Sequence, residues 1–191
     1  MRFREVLLTP NKYSRPQTPM QSVLAVVMHW TEAYGWSAQD IADYFESLKS
    51  GVEGRSASAH YAVDEDEAIL MVPTGEVAYH CGSGSDYPIG YTQFAVDHFR
   101  AYPNFHAIGI EMCIKNDGEF DPRTIDNARA VASMACLHHD LSPHSQIVRH
   151  YDVTGKHCPR AWVERPAELE AFRESVKETI VRLHERGEVV T

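Results

Sequence analysis

The sequence has no long hydrophobic run, few cysteines and a shortage of positive charge. Its longest apolar run covers residues 23–28, far short of the roughly 20 residues that a membrane-spanning helix needs. Four cysteines among 191 residues are too few for a disulfide scaffold. Lysine and arginine number 18 against 27 aspartates and glutamates, which leaves a net charge of −9. The chain therefore lacks the basic surface of a nucleic-acid-binding protein, and bulk charge would not hold it on an anionic membrane or polymer.

The amino terminus also lacks the hydrophobic core of a signal peptide. Glu5 interrupts the short basic start, and only residues 6–8 form an apolar stretch before Thr9 and Pro10. We therefore expect the protein to be made in the cytosol, where it either stays or from which it leaves by another route.

The composition is that of a folded domain, with 43% hydrophobic and 24% charged residues. Three prolines within residues 10–19 predict an extended arm. We therefore expect one domain over residues 1–191, with an extended arm at 1–20 and a folded core at about 21–185.

Apolar patterns predict strands that alternate with helices along the chain. Strands are predicted at 23–28, at 61–63 and 68–72 in a hairpin, at 108–114 and at 146–149. Helices are predicted after the Ser37–Asp40 capping box, after Asp121-Pro122 and after Pro166, and a glycine-rich loop is predicted at 81–90. This alternation predicts a single α/β domain with a central mixed β-sheet flanked by α-helices.

Strand positions distinguish a few polar residues from the many others. Four apolar side chains of residues 108–114 alternate on one face of the predicted strand, so Glu111 projects from the opposite face. Among the 11 histidines, His29 and His150 lie where a predicted strand meets a loop, the region in which functional side chains of α/β sheets tend to gather.

A loop near the carboxyl end of the chain has the highest density of reactive side chains. His150 and Cys158 lie eight residues apart across a loop that contains Gly155, which is enough chain for both side chains to turn towards one metal ion. Zinc prefers nitrogen and sulfur ligands, and a catalytic zinc site needs three protein ligands and one open position. Together with His29, these residues would supply that set.

Five short segments carry these residues in a characteristic order. They are 26–31 (VVMHWT), 58–64 (SAHYAVD), 78–82 (AYHCG), 108–113 (IGIEMC) and 149–159 (RHYDVTGKHCP). Together they resemble the type 2 family of zinc-dependent N-acetylmuramoyl-L-alanine amidases, which includes phage endolysins, bacterial autolysins, a cytosolic wall-recycling amidase and animal peptidoglycan recognition proteins. The resemblance covers about residues 20–180 and is strongest to the endolysin and autolysin catalytic domains of Gram-positive hosts.

The resemblance implies a role for each residue. His29, His150 and Cys158 would be the ligands of one catalytic zinc ion at the strand ends. Glu111 matches the catalytic carboxylate, and Lys156 matches the basic residue beside the reacting carbonyl. The implied reaction is hydrolysis of the amide between N-acetylmuramic acid and the L-alanine of the stem peptide.

Two further histidines belong to the matching segments. Some members of the family have a tyrosine directly before the histidine that matches His60, whereas this sequence has Ala59. The catalytic work should therefore fall on Glu111, and His60 is expected to be a hydrogen-bonded structural residue. His80 lies where relatives line the substrate cleft, so we expect it either to bind substrate or to pack beside the cleft.

The sequence leaves alternatives open. The absence of a signal peptide fits either a lytic enzyme that is released from the cell to reach the wall or a cytosolic enzyme that acts on soluble muropeptides. Two other hypotheses are a peptidoglycan-binding module without catalysis and a thiol hydrolase that uses Cys158. In each case we expect a monomer that binds peptidoglycan or muropeptides, and that neither binds nucleic acid nor inserts into a membrane.

Overall fold

A mixed β-sheet of six strands forms the centre of the computed structural model, which describes residues 1–82, 90–99 and 102–188. The strands are β1 (Arg2–Glu5), β2 (Ala25–Tyr34), β3 (Tyr61–Val63), β4 (Glu67–Leu70), β5 (Ala107–Ile114) and β6 (Ile147–Arg149). Their order in the sheet is β1-β4-β3-β5-β2-β6, and the hairpin of β3 and β4 is the antiparallel pair in this described sheet. The predicted α/β domain with a central mixed sheet is confirmed.

Helices cover both faces of the sheet. They are α1 (Ala38–Ser47), α2 (Gln93–Phe99), α3 (Pro122–His139), α4 (Pro143–Gln146), α5 (His150–Thr154), α6 (Arg160–Glu164) and α7 (Pro166–Glu185), with short 3₁₀ turns at Leu48–Ser50 and Pro103–Phe105. The predicted helix starts are confirmed, because Ser37 and Asp40 form a capping box and Asp121 caps α3 in front of Pro122. Within the described residues, no helix is long and apolar enough to span a membrane.

Side chains alternate between two apolar layers. Ile108, Ile110 and Met112 of β5 pack with α3, α6 and α7 on one face of the sheet. The opposite face carries two separate apolar clusters, one under α1 and one under α2 and α5. Glu111 lies on this second face, as predicted, at the position between the two clusters. The fold therefore leaves a gap in the helical layer where polar side chains of the sheet meet solvent.

The amino-terminal arm, which the sequence predicted only to be extended, contributes a strand to the sheet. Residues 1–20 are largely extended, but Arg2–Glu5 forms an edge strand that pairs in parallel with β4. Arg4 binds Glu67 across this pair at 2.6 Å, and Leu8 is buried in the cluster under α1. Residues 2–8 therefore belong to the folded domain, and Leu8 is the buried residue among them. The sequence did not predict this strand because charged side chains, typical of an exposed sheet edge, replace the apolar pattern of a buried strand.

The strand that carries His29 is longer than its apolar run. The run ends at Met28, whereas β2 continues to Tyr34, so that His29 lies within the strand and not at its end. The register between β2 and β5 shifts between Trp30 and Tyr34. Most of the loop predicted at 81–90 lies outside the described residues, which resume at residue 90.

Candidate metal centre and cleft

The gap in the helical layer is a cleft of about 1030 Å³ above β2 and β5. His29 and Glu111 are register partners on these neighbouring parallel strands, so their side chains lie next to each other on the same face of the sheet. The cleft wall contains all six residues predicted for the site, namely His29, His80, Glu111, His150, Lys156 and Cys158.

Three buried side chains converge at the floor of the cleft. His29 Nδ1 lies 3.1 Å from His150 Nδ1 and 3.9 Å from Cys158 Sγ. The three potential ligand atoms lie within 4.8 Å of one another. His150 is the first residue of α5, directly after β6, and Gly155 ends that helix with a φ of 78°. The loop then returns, so that the backbone N–H of Tyr151 donates to the carbonyl of Cys158 at 2.9 Å.

Hydrogen bonds to two backbone carbonyls determine where the ring protons lie. His150 Nε2 is 3.0 Å from the carbonyl oxygen of Gly82, and His80 Nε2 is 3.0 Å from that of Ala107. A carbonyl oxygen only accepts, so both Nε2 atoms carry the proton and both Nδ1 atoms present a lone pair. These lone pairs lie on the two sides of His29, with His80 Nδ1 at 3.0 Å from His29 Nε2.

The shortage of protons around His29 is the observation that fits a metal ion. Burial lowers the pKa of His150 to about 4 and the pKa of His29 well below its usual value, so both rings are neutral. A neutral His29 has one N–H and can satisfy only one of its two neighbours. A cation bound by His29, His150 and Cys158 would accept the lone pairs of the two Nδ1 atoms, which otherwise face each other at 3.1 Å. Nitrogen and sulfur atoms form a donor set that suits such an ion.

A second group of possible ligands is less suited to catalysis. His29, His80 and Cys81 also bring their ligand atoms within 4.8 Å of one another. Cys81, however, packs into the apolar cluster with Val27 and Phe99 and is 0% exposed. A catalytic metal ion needs an open position for water or substrate, which the cleft offers beside His150 and Cys158.

Glu111 is the buried carboxyl group of the cleft. Its side chain keeps some contact with the cleft, but Oε2 is shut off from water and has no hydrogen-bond partner among the described residues. Burial raises the pKa of Glu111 to about 8, although the positive charge of Lys156 acts in the opposite direction. In the metal-free protein Glu111 therefore keeps its proton to a higher pH than an exposed glutamate does.

The replacement of Glu111 by glutamine is expected to stabilise the metal-free protein. The folded state binds the carboxyl proton more tightly than the unfolded state, whose pKa is near 4.5, so stability falls as the pH rises from about 4.5 to about 8. The E111Q variant should avoid this cost, by up to about 3 kcal/mol at pH 7. Urea unfolding in the presence of a chelator should show that E111Q exceeds the wild-type protein in unfolding free energy by more at pH 8 than at pH 5. An equal difference at both pH values would contradict a cost of ionising Glu111 in the folded protein.

Lys156 and Glu32 form an ion pair at the wall of the cleft. Lys156 Nζ lies 3.2 Å from Glu32 Oε2. Glu32 has a φ of 52°, in the left-handed region, and lies where the β2 register shifts. Such irregularities redirect a side chain, and here they turn Glu32 towards the cleft. The sequence did not indicate Glu32, because an irregularity within a strand has no simple pattern of residue types.

The two remaining histidines differ in their contacts. His60 donates from Nε2 to the carbonyl of Glu76 at 3.0 Å and accepts the backbone N–H of Gly109 at 3.0 Å. The hydrogen bonding predicted for His60 is confirmed. His80 is only 6% exposed, and its ring nitrogens face the carbonyl of Ala107, His29 and the thiol of Cys81, so its polar atoms are directed into the protein and not into the open cleft.

Known proteins match this chain over most of its length. A family profile described as N-acetylmuramoyl-L-alanine amidase matches residues 19–161. A probable N-acetylmuramoyl-L-alanine amidase of Bacillus licheniformis is 40% identical over 172 residues, which cover 90% of this chain and 46% of the relative. The N-acetylmuramoyl-L-alanine amidase CwlL of the same species is 37% identical over 166 residues, which cover 87% and 44%.

Solved structures show the same fold. The catalytic domain of XlyA superimposes with a TM-score of 0.71 at 23% identity, over 92% of this chain and 99% of that chain. The chain spans less than half the length of the two curated relatives and nearly the whole of this solved domain.

Proposed function

The chain belongs to the N-acetylmuramoyl-L-alanine amidase family, and from that premise we propose that it is a zinc-dependent peptidoglycan hydrolase. The proposed reaction is hydrolysis of the amide that joins the lactyl group of N-acetylmuramic acid to the L-alanine of the stem peptide. The observation that carries the proposal is the convergence of His29, His150 and Cys158 in the same cleft as Glu111 and Lys156.

The proposed zinc ligands are His29 Nδ1, His150 Nδ1 and Cys158 Sγ. Three protein ligands are typical of catalytic zinc, since they leave a further position for water or substrate. When bound, zinc supplies Lewis-acid polarisation of a carbonyl group and makes water more acidic. A thiol nucleophile is disfavoured, because burial raises the pKa of Cys158 and a nucleophilic cysteine needs a lowered one.

Glu111 is the proposed general base and then the general acid. Its carboxylate takes a proton from the attacking water as the new C–O bond forms, and delivers that proton to the alanine nitrogen as the C–N bond breaks. The products are a muramyl carboxylic acid and a peptide with a free amino group. Burial raises the pKa of Glu111 in the metal-free cleft, and the positive charge of a bound zinc ion would act in the opposite direction, towards the carboxylate that a general base needs.

Lys156 is proposed to stabilise the oxyanion that develops on the attacked carbonyl. Its side chain is about one-quarter exposed, and its ammonium group reaches the cleft wall beside Glu32. A positive charge in a partly enclosed cleft favours negative charge that develops during the reaction, and one such donor is typically worth about 3 kcal/mol.

Two forms of the substrate are proposed. The family resemblance to lytic enzymes favours wall peptidoglycan, which a monomer would attack after release from the cell. The net charge of −9 favours a second candidate, soluble muropeptides in the cytosol, because an acidic protein has little nonspecific attraction to anionic wall polymers.

Digestion of both substrates should establish the reaction and the preferred substrate. We expect the purified protein to release peptides with a free amino-terminal L-alanine from sacculi or from soluble muropeptides, as identified by mass spectrometry. A chelator should abolish the release, and added zinc should restore it. Binding to sacculi without release would indicate a binding module, and chelator-resistant cleavage would indicate a thiol hydrolase.

A further inference from the structure

His80 lies directly behind His29, on the side away from His150 and Cys158. Because His80 Nε2 donates to the carbonyl of Ala107, its Nδ1 presents a lone pair 3.0 Å from His29 Nε2 and 3.1 Å from Cys81 Sγ. The two rings meet edge to face at 88°, with 5.1 Å between their centroids. When His29 Nδ1 is the ligand of a metal ion, the ring proton lies on Nε2, and His80 Nδ1 is the acceptor beside it.

Gly109 leaves the space that the His80 ring occupies. A Cβ atom at residue 109 would lie 2.5 Å from Cγ of His80 and 2.7 Å from its Nδ1, far inside normal contact distance. The backbone N–H of Gly109 is itself held by His60 Nδ1 at 3.0 Å. The strand at residue 109 therefore has little freedom to move away from the ring.

We propose that His80 is a positioning residue that holds His29 in the orientation and tautomer needed to bind the metal ion, and that Gly109 is required because it makes room for this ring. The inference rests on the proposed zinc site and changes the role expected for His80, from a substrate contact to a support of the metal ligand. Without an acceptor at His80, the buried N–H of His29 would have no partner, and the proton would be free to move to the ligand atom.

Metal affinity is the measurement that tests this role. We expect His80→Leu to weaken zinc binding by about 10- to 100-fold, which is typical for loss of a group that orients a histidine ligand. His80→Gln should recover much of that loss, because its amide offers an acceptor and a donor. Gly109→Ala should weaken zinc binding although every proposed ligand and His80 itself are retained.

The design separates this role from packing and from direct ligation. Competition with a coloured chelator gives the zinc Kd, and the absorption spectrum of the cobalt-substituted protein reports the geometry of the ligands. His106→Leu is the matched control, since His106 is buried and bonded to Ser22 at 2.8 Å outside the cleft. This control should keep the wild-type zinc Kd and cobalt spectrum.

The outcomes also separate this inference from the proposed function. A wild-type zinc Kd in His80→Leu or in Gly109→Ala would overturn the positioning role, while leaving the zinc-dependent reaction of the wild-type protein intact. Equal zinc affinities of His80→Gln and His80→Leu would show that the ring acts through its shape and not through its hydrogen bonds, which also overturns the proposal. Failure of the wild-type protein to bind zinc would overturn the proposed function first.

Discussion

The Glu111→Gln variant is expected to lose at least about 100-fold in kcat while it keeps its zinc, because removal of a general acid–base typically costs 10²- to 10⁴-fold. Glutamine has nearly the same volume, so the packing between β2 and β5 is retained. An amide cannot take up the proton of water or deliver it to the leaving nitrogen. Turnover is measured on the substrate that the wild-type protein cleaves, and bound zinc is measured by elemental analysis.

A control carboxylate isolates the effect of the cleft. Glu119 pairs with Arg165 at 2.7 Å on the surface, and Glu119→Gln should leave kcat unchanged. Glu111→Gln should combine this loss of turnover with a gain in stability, since the variant should be more stable than the wild-type protein at pH 8 when zinc is removed from both. Near-normal turnover in this variant would remove Glu111 from the mechanism.

The Cys158→Ser variant is expected to lose zinc and, with it, activity. A serine hydroxyl is a poor replacement for a thiolate as a zinc ligand. Loss of the Cys158 thiolate leaves His29 and His150 as the remaining ligands of the proposed set. Changes to groups that merely orient a ligand typically cost about 10- to 100-fold in metal affinity, so the loss of a ligand should cost more. Competition for zinc with a chelator of known affinity measures the change.

Cys81→Ser is the matched control for this experiment. Cys81 belongs to the alternative group with His29 and His80, and it is as deeply buried as Cys158. We expect Cys81→Ser to retain zinc and activity. The reverse pattern, in which Cys81→Ser loses zinc and Cys158→Ser retains it, would place the ion behind His29 and contradict the proposed site.

Several local features were predictable because they depend on neighbouring residues. The capping box of Ser37 and Asp40 and the Asp121-Pro122 start of α3 are settled within a few residues of chain. The alternation in residues 108–114 correctly placed Glu111 on the face opposite the apolar row, since a strand has a period of two.

Other features depend on partners that are distant along the chain. The edge strand at Arg2–Glu5 exists because β4 offers it a parallel partner, which its own residue pattern does not indicate. The left-handed conformation of Glu32 lies where the register between β2 and β5 shifts. The contact between His80 and His29 joins residues 51 positions apart in the sequence.

The sequence by itself determined the fold class, the strands β2 to β6, the helices α1, α3 and α7 and the family of this protein, because patterns and motifs persist in linear order. The tertiary structure alone decided which histidine nitrogens face one another, because those contacts depend on how β2, β5 and the loop after β6 pack together. It also decided that Glu111 is shielded from water, which raises its pKa, and that His80 lies behind a ligand. Burial and hydrogen-bond geometry are properties of assembled elements, and no single segment of the chain contains them.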